Sequence, residues 1–181
     1  MSVHINNHPL QKFRFCPACG SVHFEENNAV SKKCGSCGFT YYFNPRGATV
    51  AIITNEHNEL LVARRAKDPA KGTLDLPGGF IDSFETAEQA VTREVKEETG
   101  LSVEEATYLF SLPNIYPYSG MDIHTIDLFF RCKVSDTAPL RAMDDVGALY
   151  WIPFGDIRPE EFGLLSVREG IDKFLKEHVQ S

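Results

Sequence analysis

The stretch from Gly79 to Leu101 reads GFIDSFETAEQAVTREVKEETGL, and three of its carboxylates, those of Glu94, Glu97 and Glu98, fall within five positions. On a helix, residues at i, i+3 and i+4 share one face, so these three side chains converge on a small patch. Placing three like charges so close together is unfavourable unless a cation lies among them. A hard divalent cation with oxygen ligands is the obvious candidate.

The helix that carries these acids is predicted to begin near Ser83, with Asp82 or Ser83 as its cap, and to end at Gly100. At about 100° per residue, its apolar positions lie within about 100° of Glu94: Ala87, Ala90, Val91 and Val95. A solvated acidic face would lie opposite that stripe. The acids are therefore predicted to point toward the body of the protein or a cleft. The alternative is an ordinary charged helix whose basic residues offset the acids.

Two strands are predicted before this helix, at residues 48–54 and 60–64, and they are expected to form a hairpin. A loop rich in glycine and proline follows at residues 68–79. Its last two residues, Gly78 and Gly79, permit backbone conformations that bring the chain close to a ligand.

The segment after the helix is predicted to contain a strand at residues 104–112 and a proline- and tyrosine-containing loop at 111–120. A β-rich run at 125–134 is typical of a central strand. A short strand at 148–152 and a helix from Ser166, which opens a capping-box pattern, complete the chain.

Composition narrows the class of protein. The chain has 181 residues, 43% of them hydrophobic, which indicates a packed core and room for one domain plus a small module. No apolar run has the length of a membrane span, and the first residues lack a secretory pattern, so we expect a cytoplasmic protein without a membrane partner. A formal net charge of −7 argues against nucleic acid as a partner. It permits an anionic small molecule, because a bound metal reverses the local field.

Four of the five cysteines follow the spacing C-x2-C-x14-C-x2-C: Cys16, Cys19, Cys34 and Cys37. This spacing predicts a tetrahedral Zn²⁺ site, and four sulfur ligands make such a site structural. Disulfides are the alternative, which the missing export signal disfavours. We expect a zinc ribbon at residues 1–43 and a second domain at 44–181.

The opening stretch also fits a longer pattern. Gly79, Glu85 and the run Arg93-Glu94-Val95-x-Glu97-Glu98-x-Gly100-Leu101 match every fixed position of the Nudix box, G-x5-E-x7-R-E-U-x-E-E-x-G-U, in which U is a bulky aliphatic residue. The domain at residues 44–181 therefore resembles a Nudix hydrolase.

The resemblance implies an α/β fold, an α/β/α sandwich with a mixed sheet, that hydrolyses a nucleoside diphosphate linked to another group with Mg²⁺ or Mn²⁺. It assigns the metal to the carboxylates of Glu94, Glu97 and Glu98 and to the carbonyl of Gly79. Among the glutamates we favour Glu94 as general base. Arg93 and Glu85 would orient the helix and the loop, and an indirect metal role for Glu85 stays open.

One branch of the family resembles this chain more closely. NADH pyrophosphatases also carry a four-cysteine ribbon, a Pro-Arg pair such as Pro45-Arg46, and the signature S-Q-P-W-P-F-P-x-S after the box. Here Ser111, Pro113, Pro117 and Ser119 match and Tyr116 replaces Phe, whereas three positions differ: Leu112, Asn114 and Ile115 replace Gln, Trp and Pro. NAD(H), FAD and ADP-ribose are the substrates this resemblance implies. A homodimer is expected by analogy alone.

Further site residues are predicted with their alternatives. Tyr116 and Tyr118 could stack on a substrate ring, with Ser111 nearby, or could simply cover the edge of the core. Arg64 and Arg65 could bind phosphate, or be solvated at a strand end. Asp145 stands where relatives place a further metal ligand, and a hydrogen-bonded turn explains it equally well.

Two functions from different classes remain. The first is a metal-dependent pyrophosphohydrolase that acts on a small nucleotide substrate. The second is a zinc-ribbon regulator that senses a nucleotide metabolite with an inactive Nudix domain. The intact set of acids favours the enzyme, because sensing alone does not require all of them.

Overall fold

The computed structural model describes residues 8–137, 140–143 and 146–178. The chain divides into two compact units, one reaching Pro45 and including Ser119–Asp122, the other formed by Arg46–Tyr118 and the residues from Ile123 onward. Neither of the two described α-helices has the length and apolar character needed to cross a bilayer. Asp145, a predicted metal ligand, lies outside the described residues.

The first unit is a small antiparallel sheet with strands β1 (Phe24–Asn28), β2 (Ser31–Cys34) and β3 (Thr40–Tyr42). Its core contains Cys16, Phe24 and Cys34, with the ring of Phe13 packed against them. So small a core buries little apolar surface, which is why a module of this size generally needs a metal or disulfides.

In the part of the chain that the structure describes, the second unit contains six strands and two α-helices. In chain order these are β4 (Arg46–Ile52), β5 (Glu59–Arg65), β6 (Leu74–Asp75), α1 (Ala87–Thr99), β7 (Val103–Tyr118), β8 (Met121–Val134), β9 (Val146–Pro153) and α2 (Leu165–His178). Short 3-10 turns at Phe154–Asp156 and Pro159–Glu161 lead into α2.

The strands form two three-stranded sheets, ordered β4-β8-β7 and β6-β5-β9. β4 and β8 are parallel, with Arg46 opposite Thr125 and Ala48 opposite Asp127, whereas β5 pairs with β9 in antiparallel fashion. β8 is the central strand of its sheet, as predicted. The hairpin predicted at residues 48–64 is correct only at its turn, where Thr54 bridges Leu60, because the two strands then enter different sheets.

A helix packs on each face of β4. Alternate residues of the strand point to opposite faces and so contact different helices. Ala51 and Ile53 belong to a core cluster with Val91 and Val95 of α1. Val50 and Ile52 pack in a second cluster with residues of α2: Val167, Ile171 and Phe174. The predicted α/β/α sandwich with a mixed sheet is therefore confirmed.

The start of α1 differs from the prediction. The helix begins at Ala87, and its N-cap is Thr86, not Asp82 or Ser83. Thr86 Oγ1 accepts a hydrogen bond from Gln89 N, and the Gln89 side chain accepts one from Thr86 N, so a capping box satisfies both donors. Phe84 has a φ of 68°, which a right-handed helix does not allow. The end at Gly100, with a φ of 75°, is as predicted.

The loop predicted at residues 111–120 is also wrong, since β7 continues as a strand to Tyr118 and only the turn at Ser119–Gly120 precedes β8. β7 lies at the edge of its sheet, where alternate N–H groups face away from the ladder. Pro113 and Pro117 are both exposed and four residues apart, so an edge strand accommodates them.

Candidate active site

The guanidinium of Arg93 joins three of the predicted carboxylates. Its Nε and Nη2 each donate to one oxygen of Glu85 at 2.9 Å. Nη1 donates to Glu94 Oε1 at 2.8 Å and to Glu97 Oε2 at 3.0 Å, and Nη2 also reaches the carbonyl oxygen of Phe80 at 3.1 Å. Arg93 therefore fixes the loop before α1 to the acidic side of the helix.

The Gly78-Gly79 pair lets the acids approach the backbone. A Cβ on Gly79 would lie 2.6 Å from Glu94 Cδ, and one on Gly78 would lie 2.1 Å from the carbonyl oxygen of Thr49. Gly78 N donates to Glu98 Oε2 at 3.0 Å. The Gly79 carbonyl oxygen, which was predicted to bind metal, accepts from Thr49 N at 2.8 Å and, over a longer distance of 3.5 Å, from Thr49 Oγ1. Only glycine fits at position 78, where the neighbour is backbone, whereas a Cβ at position 79 would displace the Glu94 carboxylate.

Burial and charge act in opposite directions on two of these glutamates. Burial raises the pKa of Glu94, and the contact with Arg93 offsets this only in part. The hydrogen bonds from Arg93 lower the pKa of Glu85. The carboxylates, that of Glu85 first, raise the pKa of Arg93, so the guanidinium stays charged. Glu94 is therefore the better proton acceptor of the two at neutral pH.

A cavity of about 630 Å³ opens beside these acids in the second unit. Its lining includes Glu94, Glu97 and Glu98 of α1, together with Arg93 and Gly79. Glu94 is largely buried, with 15% of its side chain exposed, whereas Glu97 is 49% exposed and lies at the rim. The prediction that the acids face a cleft agrees with the placement of Glu94 and Glu98, whereas Glu97 is exposed to solvent at the rim.

The floor of the cavity is one face of the β4-β8-β7 sheet. Paired residues on neighbouring strands point to the same face, and residues two apart along a strand do so as well. The floor accordingly contains side chains from all three strands, every one of which lines the cavity: Arg46, Ala48, Val50, Asn114, Tyr116, Tyr118, Thr125 and Asp127.

Four of the five predicted substrate residues line this cavity. Arg65 donates to Asp75 Oδ2 at 2.5 Å, to the Pro69 carbonyl at 2.7 Å and to Tyr116 Oη at 3.3 Å. Arg64 and Tyr118 also line the cavity. Ser111 does not, because it is exposed and belongs to the opposite set of alternate positions on β7.

Asp75 is a buried acid that depends on Arg65. Burial raises the pKa of Asp75, and the neighbouring guanidinium and the backbone N–H of Leu76 oppose that shift. The ion pair fixes the end of β5 beside the short strand β6. Arg65 is therefore already neutralised by a carboxylate, which makes it a weaker phosphate ligand than the sequence suggests.

The sequence reasoning missed other cavity residues. The Arg46 guanidinium lies 4.1 Å from the centroid of the Phe80 ring and forms no ion pair within the described part of the chain. Asn114 and Asp127 are buried and hydrogen-bonded to each other. An aspartate inside the apolar run TIDLFF is a signal that could have pointed to Asp127, because a buried carboxylate requires partners.

The structure offers two sets of metal donors, carboxylates for Mg²⁺ or Mn²⁺ and cysteine sulfurs for Zn²⁺. Glu85, Glu94 and Glu97 share the single guanidinium of Arg93, and Glu98 accepts a hydrogen bond from Gly78 N. Such an excess of hard oxygen donors fits Mg²⁺ or Mn²⁺. Within the described ranges, however, only the four cysteines bring three or more ligand atoms within 4.8 Å of one another. The acids hold Arg93 instead, so metal ligation requires some of their side chains to move.

The cysteine sulfurs match zinc geometry. Sγ of Cys16 lies 3.7 Å from that of Cys37, and the same distance separates Cys19 from Cys34. A tetrahedron with Zn–S bonds of about 2.3 Å has an edge of about 3.8 Å, whereas a disulfide bond is about 2.05 Å long. Backbone N–H groups, that of Cys37 first, lower the pKa of the Cys34 thiol to about 6. The four cysteines therefore fit zinc and not disulfides.

A sequence model of the NUDIX domain matches residues 44–175. The chain belongs to the Nudix family. Proteins named NAD-capped RNA hydrolase NudC are 36% identical over 115 residues in Vibrio parahaemolyticus and 34% identical over 116 residues in Haemophilus influenzae. These alignments cover 63% and 64% of this chain but 43% and 44% of the relatives, so the match spans less than half of their length.

Solved structures agree on the fold. A Nudix hydrolase from Nitrosomonas europaea has a TM-score of 0.72 over 93% of both chains, at 22% sequence identity. A MutT Nudix hydrolase from Burkholderia pseudomallei has a TM-score of 0.62 over 71% of this chain and 97% of its own, at 27% identity. The Nudix prediction made from the box is therefore confirmed.

Proposed function

We propose that this chain hydrolyses the pyrophosphate bond of a dinucleotide of the NAD type in a reaction that requires Mg²⁺ or Mn²⁺. The observation that carries the proposal is the Nudix acid cluster on α1, which lines a cavity large enough for a nucleotide. The identity of 36% with proteins named NAD-capped RNA hydrolase supports the choice of NAD over other dinucleotides. FAD and ADP-ribose share the diphosphate and remain in the substrate panel.

Glu94, Glu97 and Glu98, with the carbonyl of Gly79, would hold the metal. A bound divalent cation neutralises the diphosphate and favours ionisation of a water molecule. Glu94 is the proposed general base, because its buried carboxylate binds a proton more tightly than an ordinary glutamate. Arg93 and Glu85 are positioning residues, since they contact each other and the loop before the helix.

The proposed reaction is a hydrolysis in which water attacks phosphorus. A water oxygen forms a bond to one phosphorus, the P–O–P bridge breaks, and Glu94 takes a proton from the water. The products are two nucleoside monophosphates or, for ADP-ribose, AMP and a sugar phosphate. Arg46, which has no ion-pair partner within the described residues and lies at the cavity wall, is the proposed contact for a phosphate oxygen.

The relatives' names extend the substrate class to the NAD cap of an RNA. The net charge led us to expect no nucleic acid partner, and that expectation did not consider an RNA bound through its NAD cap. A cap presents the same diphosphate to the metal site, so the proposal includes a short NAD-capped RNA as one substrate to be tested. The RNA body would extend beyond the cavity.

The remaining expectations are proposals of the same kind. A structural Zn²⁺ would stabilise the first unit through Cys16, Cys19, Cys34 and Cys37, which match its geometry. A ribbon at residues 1–43 with a Nudix domain at 44–181, a homodimer and a cytoplasmic location complete the proposal.

The direct experiment incubates the purified full chain with Mg²⁺ or Mn²⁺ and NADH, NAD⁺, FAD, ADP-ribose or a short NAD-capped RNA. The expected products from NAD⁺ are AMP and nicotinamide mononucleotide, separated by chromatography. Binding of a nucleotide without any release of mononucleotide would contradict the enzyme and indicate the sensor. A buffer with chelator but no divalent cation is the control, and it should abolish the release.

A further inference from the structure

The cavity floor contains a carboxylate that has only neutral partners. Asp127 is 4% exposed and accepts hydrogen bonds from Thr125 Oγ1 at 2.6 Å, from Ser166 Oγ at 2.5 Å and from Asn114 Nδ2 at 3.0 Å. No lysine or arginine of the described residues forms an ion pair with it. A buried carboxylate with three donors is held firmly in one position.

This arrangement orients Asn114. Its Nδ2 donates to Asp127 Oδ2, so the amide presents its NH₂ group, and not its oxygen, to the carboxylate. Asn114 is 7% exposed, and none of the described residues donates a hydrogen bond to its Oδ1. Every fully shielded side-chain N or O atom of the described residues has a partner, so Oδ1 opens to the cavity.

Asn114 lies on β7, two strands from β4 in the sheet. Asp127 pairs with Ala48 across the sheet, and Ala48 bridges Phe80 in the segment next to Gly79. Asn114 therefore lies beyond Asp127, one strand farther from the acids. Tyr116 is two residues along on the same face of β7, so a flat aromatic side chain neighbours the amide oxygen.

We propose that Asn114 is a specificity-determining residue whose Oδ1 accepts a hydrogen bond from an N–H group of the planar ring that the substrate carries. Asp127 is the positioning residue that keeps this oxygen directed into the cavity. The inference rests on the proposed function. A bound ligand covers this oxygen, and an acceptor that is buried without a hydrogen-bond partner lowers the affinity. A ligand that supplies the donor is therefore favoured over one that cannot.

Two rings of NAD⁺ offer such a donor, the carboxamide of nicotinamide and the exocyclic amine of adenine. Three substrates distinguish them: NAD⁺, its deamido analogue with a carboxylate in place of the carboxamide, and its hypoxanthine analogue with an oxygen in place of the amine. Wild-type kcat/KM should fall by about 10-fold or more for the analogue that lacks the recognised donor, and much less for the other. Equal kcat/KM for all three would overturn the proposal.

Variants separate this hydrogen bond from the charge that the deamido analogue adds. Asn114→Leu keeps the approximate volume and should abolish the discrimination between the substrates, mainly through a higher KM for NAD⁺. Thr107→Val, an exposed change on the same strand outside the cavity lining, should keep the wild-type ratio. A wild-type ratio in Asn114→Leu would overturn the proposal.

Asp127→Asn is the second variant and tests the positioning. An amide at this position can donate as well as accept, so Asn114 is no longer held in one orientation and the discrimination should weaken. Binding of the three substrates is measured beside turnover. A chain that binds them with the expected ratios but hydrolyses none overturns the proposed function and supports the role of Asn114. A chain that binds none overturns both.

Discussion

Glu94, Glu97 and Glu98 of α1 line the same cavity as Asp127, but the two groups of carboxylates are held in different ways. Glu85, Glu94 and Glu97 share one guanidinium, that of Arg93. Asp127 has three neutral donors of its own and is 4% exposed. The first group retains excess negative charge that a cation can neutralise, whereas the second already has its hydrogen-bond partners.

This difference assigns separate proposed roles to the two groups: the α1 carboxylates bind metal, and Asp127 positions Asn114. Several carboxylates around a single guanidinium repel one another, and a further cation would reduce that repulsion. The α1 cluster is therefore expected to bind a divalent ion. A carboxylate saturated by neutral donors offers little to a metal, and it serves to orient the amide of Asn114.

The largest effect is expected from Glu98→Gln. Loss of one anionic ligand should reduce metal binding and lower kcat by about 10²-fold or more, because metal charge stabilises the transition state by several kcal/mol. Mononucleotide release is the assay, and circular dichroism should show an intact fold. Glu88→Gln, an exposed change in the first turn of the same helix, is the matched control and should retain wild-type turnover.

Gly79→Ala tests whether the acids need the glycine beside them. The added Cβ would lie 2.6 Å from Glu94 Cδ and displace the carboxylate, so turnover should fall by up to about 10²-fold. Gly155→Ala is the control, since its Cβ would meet no atom within 4 Å. Wild-type turnover in Gly79→Ala would show that the position of Glu94 is not critical.

Arg93→Met removes the cation that the acids share. Without divalent metal, the free energy of unfolding should fall by about 2 kcal/mol, because the partly buried carboxylates lose their partner. Added Mg²⁺ should restore part of that loss, since it neutralises the same acids. Urea denaturation with and without Mg²⁺ measures both effects. No recovery with Mg²⁺ would argue against metal binding at this cluster.

Ser166→Ala removes one donor from Asp127. The 2.5 Å hydrogen bond to a buried carboxylate should be worth about 1–2 kcal/mol of unfolding free energy, with no change in metal affinity. Ser111→Ala, at an exposed serine, is the stability control. A drop in Mg²⁺ affinity in Ser166→Ala would show that the two carboxylate groups are not independent.

The smallest effect is a pH dependence at Glu94. Its pKa in the folded protein lies above the unfolded value, so protonation stabilises the fold, and that stability is lost as the pH rises through the raised pKa. Without metal, Glu94→Gln should therefore be slightly more stable than wild type at neutral pH. The difference should vanish below about pH 4, where both states of the wild type are protonated. Denaturation across this range measures the difference, and a constant difference would refute the burial of Glu94.

Local spacing was enough to predict part of the structure. The cysteine knuckles, the box from Gly79 to Leu101 and the end of α1 at Gly100 each depend on residues close in sequence. The start of α1 was wrong because the Thr86–Gln89 capping box competes with the earlier candidates. The length of β7 was wrong because an edge strand tolerates prolines that a central one excludes.

The floor of the cavity could not be predicted in the same way. Asn114, Asp127 and Ser166 are separated by 13 and 39 residues, and only the packed sheet brings them together. The sequence shows a polar residue in an apolar strand but not the identity of its partners. The pairing of Arg65 with Asp75, which weakens the case for phosphate binding, likewise depends on the fold.

Mn²⁺ binding and mononucleotide release, measured on the same samples of wild type, Glu98→Gln and Asp127→Asn, decide whether the carboxylates of α1, and not Asp127, bind the metal. The account predicts that Glu98→Gln binds Mn²⁺ at least about 10-fold more weakly and loses turnover. Asp127→Asn should bind Mn²⁺ as wild type does and retain metal-dependent turnover. Equal loss of Mn²⁺ in both variants, or wild-type binding and turnover in Glu98→Gln, would contradict the account.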